Sequence, residues 1–144
     1  MSRNGKRLAN PKRVNEMTAR PVNRARPSYR ADCSVEIANG ASVSDLINLT
    51  GHVLSAVQVS SSWTTAVLGF KASIDGSTAV MYDVKNSNGD FLTFQTSASQ
   101  ILVFDPATLI GLQKIQLVSC TTAGVAVNQG ALRSLVLSLT PAYF

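Results

Sequence analysis

The sequence predicts an all-β protein, an antiparallel and jelly-roll-like β-sandwich that follows an extended basic N-terminal arm. Two observations favour the sandwich. Short segments of alternating apolar and polar residues recur about every 8–12 residues, and turn-forming residues separate them. A third observation argues against a helical bundle, because only 15% of the residues are charged and no segment keeps a helical apolar period. We therefore expect one β-sandwich domain.

The alternating segments indicate eight or nine short strands. In chain order, the predicted strands cover residues 33–38, 43–49, 53–60, 66–74, 79–85, 91–95, 100–104, 113–119 and 132–140. Asp105-Pro106 interrupts the chain, and one helical turn is predicted over residues 107–112. The dipeptide Asp75-Gly76 is typical of a hairpin turn between the fourth and fifth strands.

Several predicted strands have one face that is mainly apolar, and we expect that face to be buried. This face consists of Val35 and Ile37 in the strand over residues 33–38, and of Val53, Val57 and Val59 in the strand over residues 53–60. In the strand over residues 66–74 it consists of Leu68, Phe70, Ala72 and Ile74. Later faces consist of Val80, Tyr82 and Val84, and, in the last strand, Leu135, Leu137 and Leu139.

The formal net charge of +5 divides unevenly along the chain. Residues 1–30 hold nine basic residues and one acid, which gives +8, whereas residues 31–144 hold four basic and seven acidic residues, which gives −3. The first segment also contains three prolines and too little apolar surface to offset its ordering entropy. We therefore predict a basic arm over residues 1–31 and a β-sandwich domain over residues 32–144.

The basic side chains of the arm are the main candidate partner-binding residues. They are Arg3, Lys6, Arg7, Lys12, Arg13, Arg20, Arg24, Arg26 and Arg30. Such a segment can contact an acidic protein surface or nucleic-acid phosphates. Its prolines favour an extended strap, and its single aromatic residue, Tyr29, offers little base stacking, so nucleic acid is the less favoured partner. A solubilising tail is the alternative.

Three aromatic residues are candidate oligomer or partner contacts. Trp63 lies between two predicted strands, where it can anchor a partner or cap one end of the sandwich core. Tyr143 and Phe144 end the chain with an apolar stretch, which either forms a second contact patch or packs under the last strand.

The sequence offers no combination of residues that indicates catalysis. His52 is the only histidine, and a histidine beside a turn is commonly exposed or caps the turn. Cys33 and Cys120 lack metal-site spacing, and we expect reduced thiols rather than a disulfide. The acids Asp75, Asp83, Asp90 and Asp105 lie at or near turns and suit turn chemistry. We therefore predict no enzyme, no catalytic residue, no metal and no cofactor. No apolar run reaches the ~18 residues of a membrane span, and we expect no membrane partner.

Several stretches of the predicted sandwich resemble small structural proteins of tailed bacteriophages and prophages. Residues 63–76 resemble their pattern W-x-x-A-x-L-x-F-x-x-S-x-D-G, and residues 101–106 with 109–111 resemble an apolar-D-P…G stretch. Residues 114–119 and 127–131 complete a resemblance that covers about residues 40–140. The resemblance implies a β-sandwich component of the virion, and specifically a capsid decoration (cement) protein. The basic arm lies outside the pattern.

The resemblance implies a homo-oligomer that binds the major capsid protein on the phage head surface after synthesis in the host cytoplasm. A neck, tail or head-fibre component that docks on a portal or neck protein is an open alternative. A small viral coat protein whose basic arm binds the genome is a second alternative. A carbohydrate-binding module would depend on Trp63 alone.

Overall fold

The computed structural model describes residues 31–49 and 51–141, in which eight antiparallel strands form two four-stranded sheets. The first sheet has the order β1-β8-β3-β6, with strands at Ala31–Ile37, Arg133–Pro141, His52–Gln58 and Ile101–Val103. The second has the order β2-β7-β4-β5, with strands at Ile47–Asn48, Lys114–Cys120, Val67–Ser73 and Tyr82–Asp83. One short helix, α1, covers Pro106–Leu109. The predicted all-β, sandwich-like fold class is confirmed.

Strands β8 and β1 of the first sheet bury the faces that the alternation predicts. Leu135, Leu137 and Leu139 of β8 are buried, while the residues between them are exposed or half-buried. Val35 and Ile37 of β1 are buried in the same way. Burial of each such side chain contributes roughly 1.5–3 kcal/mol, so the alternation fixes which face of the sheet meets the core.

Strand β3 departs from simple alternation at a bulge. Its pairing with β8 shifts register between Leu54 and Ala56, so one extra residue enters the strand there. The extra residue turns both Val53 and Leu54 toward the interior, and both are fully buried. Val57 is buried as well, as predicted.

An aromatic cluster fills the core on the β6 side of the sandwich. Phe70 lies on β4, Phe94 follows β5, and Phe104 follows β6 directly. The three rings meet edge to face, with centroid separations of 4.7–5.9 Å. Edge-to-face pairs of this kind stabilise the fold beyond the burial of their surface, and here they join the two sheets.

The predicted strand over residues 79–85 is wrong for most of its length, because only Tyr82–Asp83 forms β5. Val80 and Tyr82, predicted to be core residues, are exposed. The β4 ladder ends where Ser73 pairs with Lys114, and Ile74 beyond it is 70% exposed instead of buried. The two strands do form an antiparallel pair, but residues 74–81 join them in place of a tight two-residue turn.

The physical reason for the longer connection is the side chain of Asp75. Its Oδ1 accepts hydrogen bonds from Ser73 Oγ and from the backbone N–H of Ser77, both at 2.9 Å. These bonds turn the chain away from the sheet immediately after β4, and Gly76 adopts a positive φ of 82° in the turn. The next residues therefore leave the sheet before they return at Tyr82.

Two other predicted strands are shorter than expected. The strand over residues 91–95 reduces to isolated bridges of Phe91 with Lys85 and of Phe94 with Leu68. The strand over residues 43–49 reduces to β2 and two isolated bridges, from Val43 to β7 and from Ser44 to β1. The predicted helical turn over residues 107–112 is α1 at Pro106–Leu109, with Asp105 Oδ1 accepting from Ala107 N–H as an N-cap.

Replacement of a buried β8 side chain tests the packing of the first sheet. Leu137→Ala removes a fully buried side chain from the middle of the sheet and should lower the free energy of unfolding by about 2–5 kcal/mol. The matched control is Val136→Ala on the outer face of the same strand, which should change the free energy by less than about 1 kcal/mol. Urea denaturation measures both. Equal losses from the two variants would contradict the assignment of faces.

Candidate partner-binding surfaces

Most of the predicted binding residues lie outside the part of the chain that the structure describes. This holds for all nine basic residues of the arm, Arg3 to Arg30, and for Tyr143 and Phe144. The assignment of these side chains to partner binding stays a prediction. Trp63 is the one predicted contact residue that the structure places.

Trp63 lies in the turn between β3 and β4, where its side chain is only 8% exposed. Its indole N–H donates a hydrogen bond of 3.2 Å to the carbonyl of Ala66, the residue directly before β4. A buried indole with its donor satisfied agrees with the core-capping alternative for this residue.

A buried polar network lies next to Trp63, and the side chain of Gln129 is its centre. Gln129 Oε1 accepts from the backbone N–H of Thr64 at 2.8 Å and from Arg133 Nε at 3.1 Å. Its Nε2 donates to the carbonyl of Thr64 at 3.2 Å and to Ser119 Oγ at 2.8 Å. Both polar ends of the amide are therefore satisfied, which removes the usual cost of burying it.

Arg133 is a buried cation whose hydrogen-bond partners in the described residues are neutral. Besides the bond to Gln129, its Nη1 donates to Ser62 Oγ at 3.1 Å and its Nη2 to Thr64 Oγ1 at 3.0 Å. The side chain is 9% exposed. Hydrogen bonds to a charged group contribute about 1.5–3 kcal/mol each, and together they offset the desolvation of the guanidinium.

Sequence reasoning missed this network, although a signal for one member was present. Arg133 has the same parity along β8 as the buried Leu135, Leu137 and Leu139, so the alternation places its side chain toward the core. Gln129 lies in a segment without a period, and no comparable signal marks it.

The histidine and the two cysteines considered for catalysis lie on three different strands, β3, β1 and β7. His52 begins β3, and its Nδ1 lies 3.2 Å from the carbonyl oxygen of Leu49. Cys33 and Cys120 are free thiols on different sheets, and burial raises the pKa of each, with smaller increases from Asp32 and Asp83 respectively. No group of histidine, cysteine, aspartate or glutamate within the described ranges could hold a metal ion.

The acids expected at turns have different roles. Asp105 caps α1, and Asp75 organises the turn after β4. The hydrogen bonds from Ser77 N–H and then Ser73 Oγ lower the pKa of Asp75. Asp83 is instead in β5, where it forms an ion pair of 3.0 Å with Lys71.

Two groups of exposed apolar side chains lie at the free edges of the two sheets. Beside β5, a shallow groove of about 250 Å³ is lined by Ala72, Ile74, Tyr82, Val84 and Leu112, with Asp83 among the lining residues. On the first sheet, β6 exposes Ile101 and Val103, and Val136 of β8 is exposed on the same face. Contiguous apolar surface on a soluble domain commonly marks an interaction site.

Comparisons with known protein families, curated proteins and solved structures give no match to this chain. The structure also shows, within its described ranges, no helix long and apolar enough to cross a membrane. A functional assignment therefore has to rest on the sequence and the structure of this chain.

The Gln129 network can be tested by an apolar replacement of similar size. Gln129→Leu leaves Thr64 N–H and Arg133 Nε without their acceptor, so we expect a loss of about 3 kcal/mol in the free energy of unfolding. Gln95→Leu, at an exposed position, is the control and should change it by less than about 0.5 kcal/mol. Urea denaturation monitored by Trp63 fluorescence provides the measurement. A neutral effect of Gln129→Leu would contradict the role of the network.

Proposed function

We propose that this chain is a non-enzymatic structural protein of a virion, most specifically a bacteriophage capsid decoration (cement) protein. In this proposal, residues 1–31 anchor the protein to the major capsid protein and thereby stabilise the head. The proposal also takes the chain to be a homo-oligomer. The observation that carries it is the charge division of the chain, with +8 in residues 1–30 and −3 in the domain that follows.

The charge division supports binding through the arm to an acidic surface. Seven of the nine basic residues in the arm are arginines, whose planar guanidinium groups pair bidentately with carboxylates. Thirty residues can span up to ~100 Å when extended, so such an arm can reach across neighbouring subunits of a shell.

The described domain supports the same proposal in a different way. Two packed sheets with a bulged central strand and a satisfied polar network give a rigid body. Several of its exposed apolar residues lie along the free sheet edges, on open surface. A rigid body with edge surfaces suits a protein that adds contact area between capsid subunits. The resemblance of residues 40–140 to phage structural proteins points to the virion.

A neck, tail or head-fibre position is the alternative within the same virion, and copy number distinguishes the two. Quantitative mass spectrometry of purified particles should give copies in proportion to capsid subunits for a decoration protein. Copies in proportion to the portal ring would instead support the neck alternative.

Neutralising the arm tests the anchor. A variant with all nine basic residues replaced by glutamine, and a deletion of residues 1–30, should both lose binding to expanded heads in a co-sedimentation assay, because the cationic contacts are gone. The control is Lys85→Gln with Lys114→Gln, which removes basic residues of the sandwich and should leave head occupancy unchanged. Full occupancy by the deletion variant would contradict the anchor.

Replacing arginine by lysine in the arm separates a carboxylate partner from a nucleic acid. The seven-fold Arg→Lys variant keeps the charge of +8 but loses bidentate pairing, so head binding should fall at least about tenfold. Binding to poly(U) RNA depends mainly on charge and should change little.

The coat-protein alternative predicts strong poly(U) binding by the original chain. If all nine cations of the arm contact phosphates, a plot of log K against log salt concentration should have a slope of about −6.

A further inference from the structure

Strand β6 is the free edge of the first sheet, and its backbone leaves hydrogen-bonding groups directed outward. Leu102 is opposite Val57 of β3, while Phe104 N–H donates to Ser55 and Val59 N–H donates to the carbonyl of Gln100. Antiparallel strands alternate the direction of these groups, so the N–H and C=O groups of residues 101 and 103 point away from β3. No described strand pairs with that side.

The side chains on this edge are apolar and unusually exposed. Ile101 is 64% exposed and Val103 79% exposed. Both lie on the outer face of the sheet, where Gln58 separates Ile101 from Val136 of β8, and Ala56 separates Val103 from Ser138. A β-branched edge with open backbone groups is a template for another strand.

Charge distinguishes β6 from the other three sheet edges of the described domain. Strand β1 carries Asp32 and Glu36, and β5 carries Asp83. Strand β2 has only two residues, and Asp45 lies just before it. Strand β6 itself has no charged residue, and on the outer face of β3 and β8 its neighbours are neutral too. The nearest acid along the chain, Asp105, lies two residues beyond the end of the strand. Two copies can therefore approach through this edge without like-charge repulsion.

The depression beside Ile101 gives the edge a polar border. It has a volume of about 380 Å³, and its lining includes Gln58, Ser60, Ser99 and Gln100. The hydroxyl of Ser60 is buried, and it has no hydrogen-bond partner among the described residues. An apolar centre with a polar border is the usual arrangement of a protein interface, and a second copy would bring new polar groups to the border.

We propose that β6 pairs with β6 of a second copy of this chain, antiparallel about a twofold axis at Leu102, so that the first sheets of both copies become one continuous sheet. In this register residue 101 of each copy is opposite residue 103 of the other. Each such pair exchanges two backbone hydrogen bonds, with Cα atoms about 5.5 Å apart. Asp105-Pro106 ends the strand and limits the length of the ladder. The contact closes at a dimer because a twofold interface uses the same edge of both copies. The inference rests only on the homo-oligomer part of the proposed function.

Three charge variants of the full chain test the pairing and its register. Ile101→Lys with Val103→Lys places lysines opposite each other in both pairs and should weaken dimerisation about 100-fold or more in sedimentation velocity. Ile101→Lys with Val103→Glu places opposite charges in the same positions and should restore the dimer. The control, Ile74→Lys with Val125→Lys, changes residues that are 70% and 62% exposed elsewhere and should remain dimeric.

Amide hydrogen exchange provides an independent readout of the edge. The amides of Ile101 and Val103 should become protected as protein concentration rises through the dimer dissociation range. A chain that stays monomeric, a dimer that persists in the double-lysine variant, or a dimer in which both amides exchange freely would each overturn the proposal. Deletion of residues 1–30 should leave the dimer intact, and a monomeric deletion variant would also overturn it. Failure of head binding by an intact dimer would contradict the proposed function alone.

Discussion

One side chain, Gln129, holds together the end of the sandwich that contains Trp63. Its amide bonds to Thr64 in the β3–β4 connection, to Ser119 on β7 and to Arg133 on β8. Its backbone bonds to Gly40 and Ala41 in the turn after β1. Segments far apart in sequence thus depend on one residue with every hydrogen-bonding group satisfied. Such a network is strong when complete, and loss of one member exposes the others to a desolvation cost.

The sequence predicts the core strands well because their energetics are local and periodic. In β8 and β1 the buried face follows directly from alternate apolar residues, and a register slip would expose all of them at once. The prediction is wrong after Ser73, where alternation continues through Ile74 and resumes at Val80. There the hydrogen bonds of Asp75 decide the path of the chain, and the alternation of apolar and polar residues gives no information about those bonds.

The candidate surfaces are less predictable than the fold, for a similar physical reason. Charge counts identify the arm, because net charge is a property of sequence alone. The edge position of β6 is a property of sheet order, and no local pattern states which strand lies at an edge. Ile101 and Val103 belong to a short apolar segment of the sequence, and only the structure shows that they are exposed at an edge. For Trp63 the sequence allows either a contact or a core cap, and its burial and its satisfied indole N–H agree with the core cap.

The arm and the β6 edge support each other physically if both act as proposed. A single arm that orders on binding loses conformational entropy, which limits the affinity of its ionic contacts, and salt weakens them further. A dimer brings two arms to one shell, so attachment of the first raises the effective concentration of the second. The uncharged edge is compatible with this arrangement, because β6 itself carries no charged residue. Weak contacts made in pairs on a repeating lattice can therefore give tight binding without any deep pocket in the sandwich.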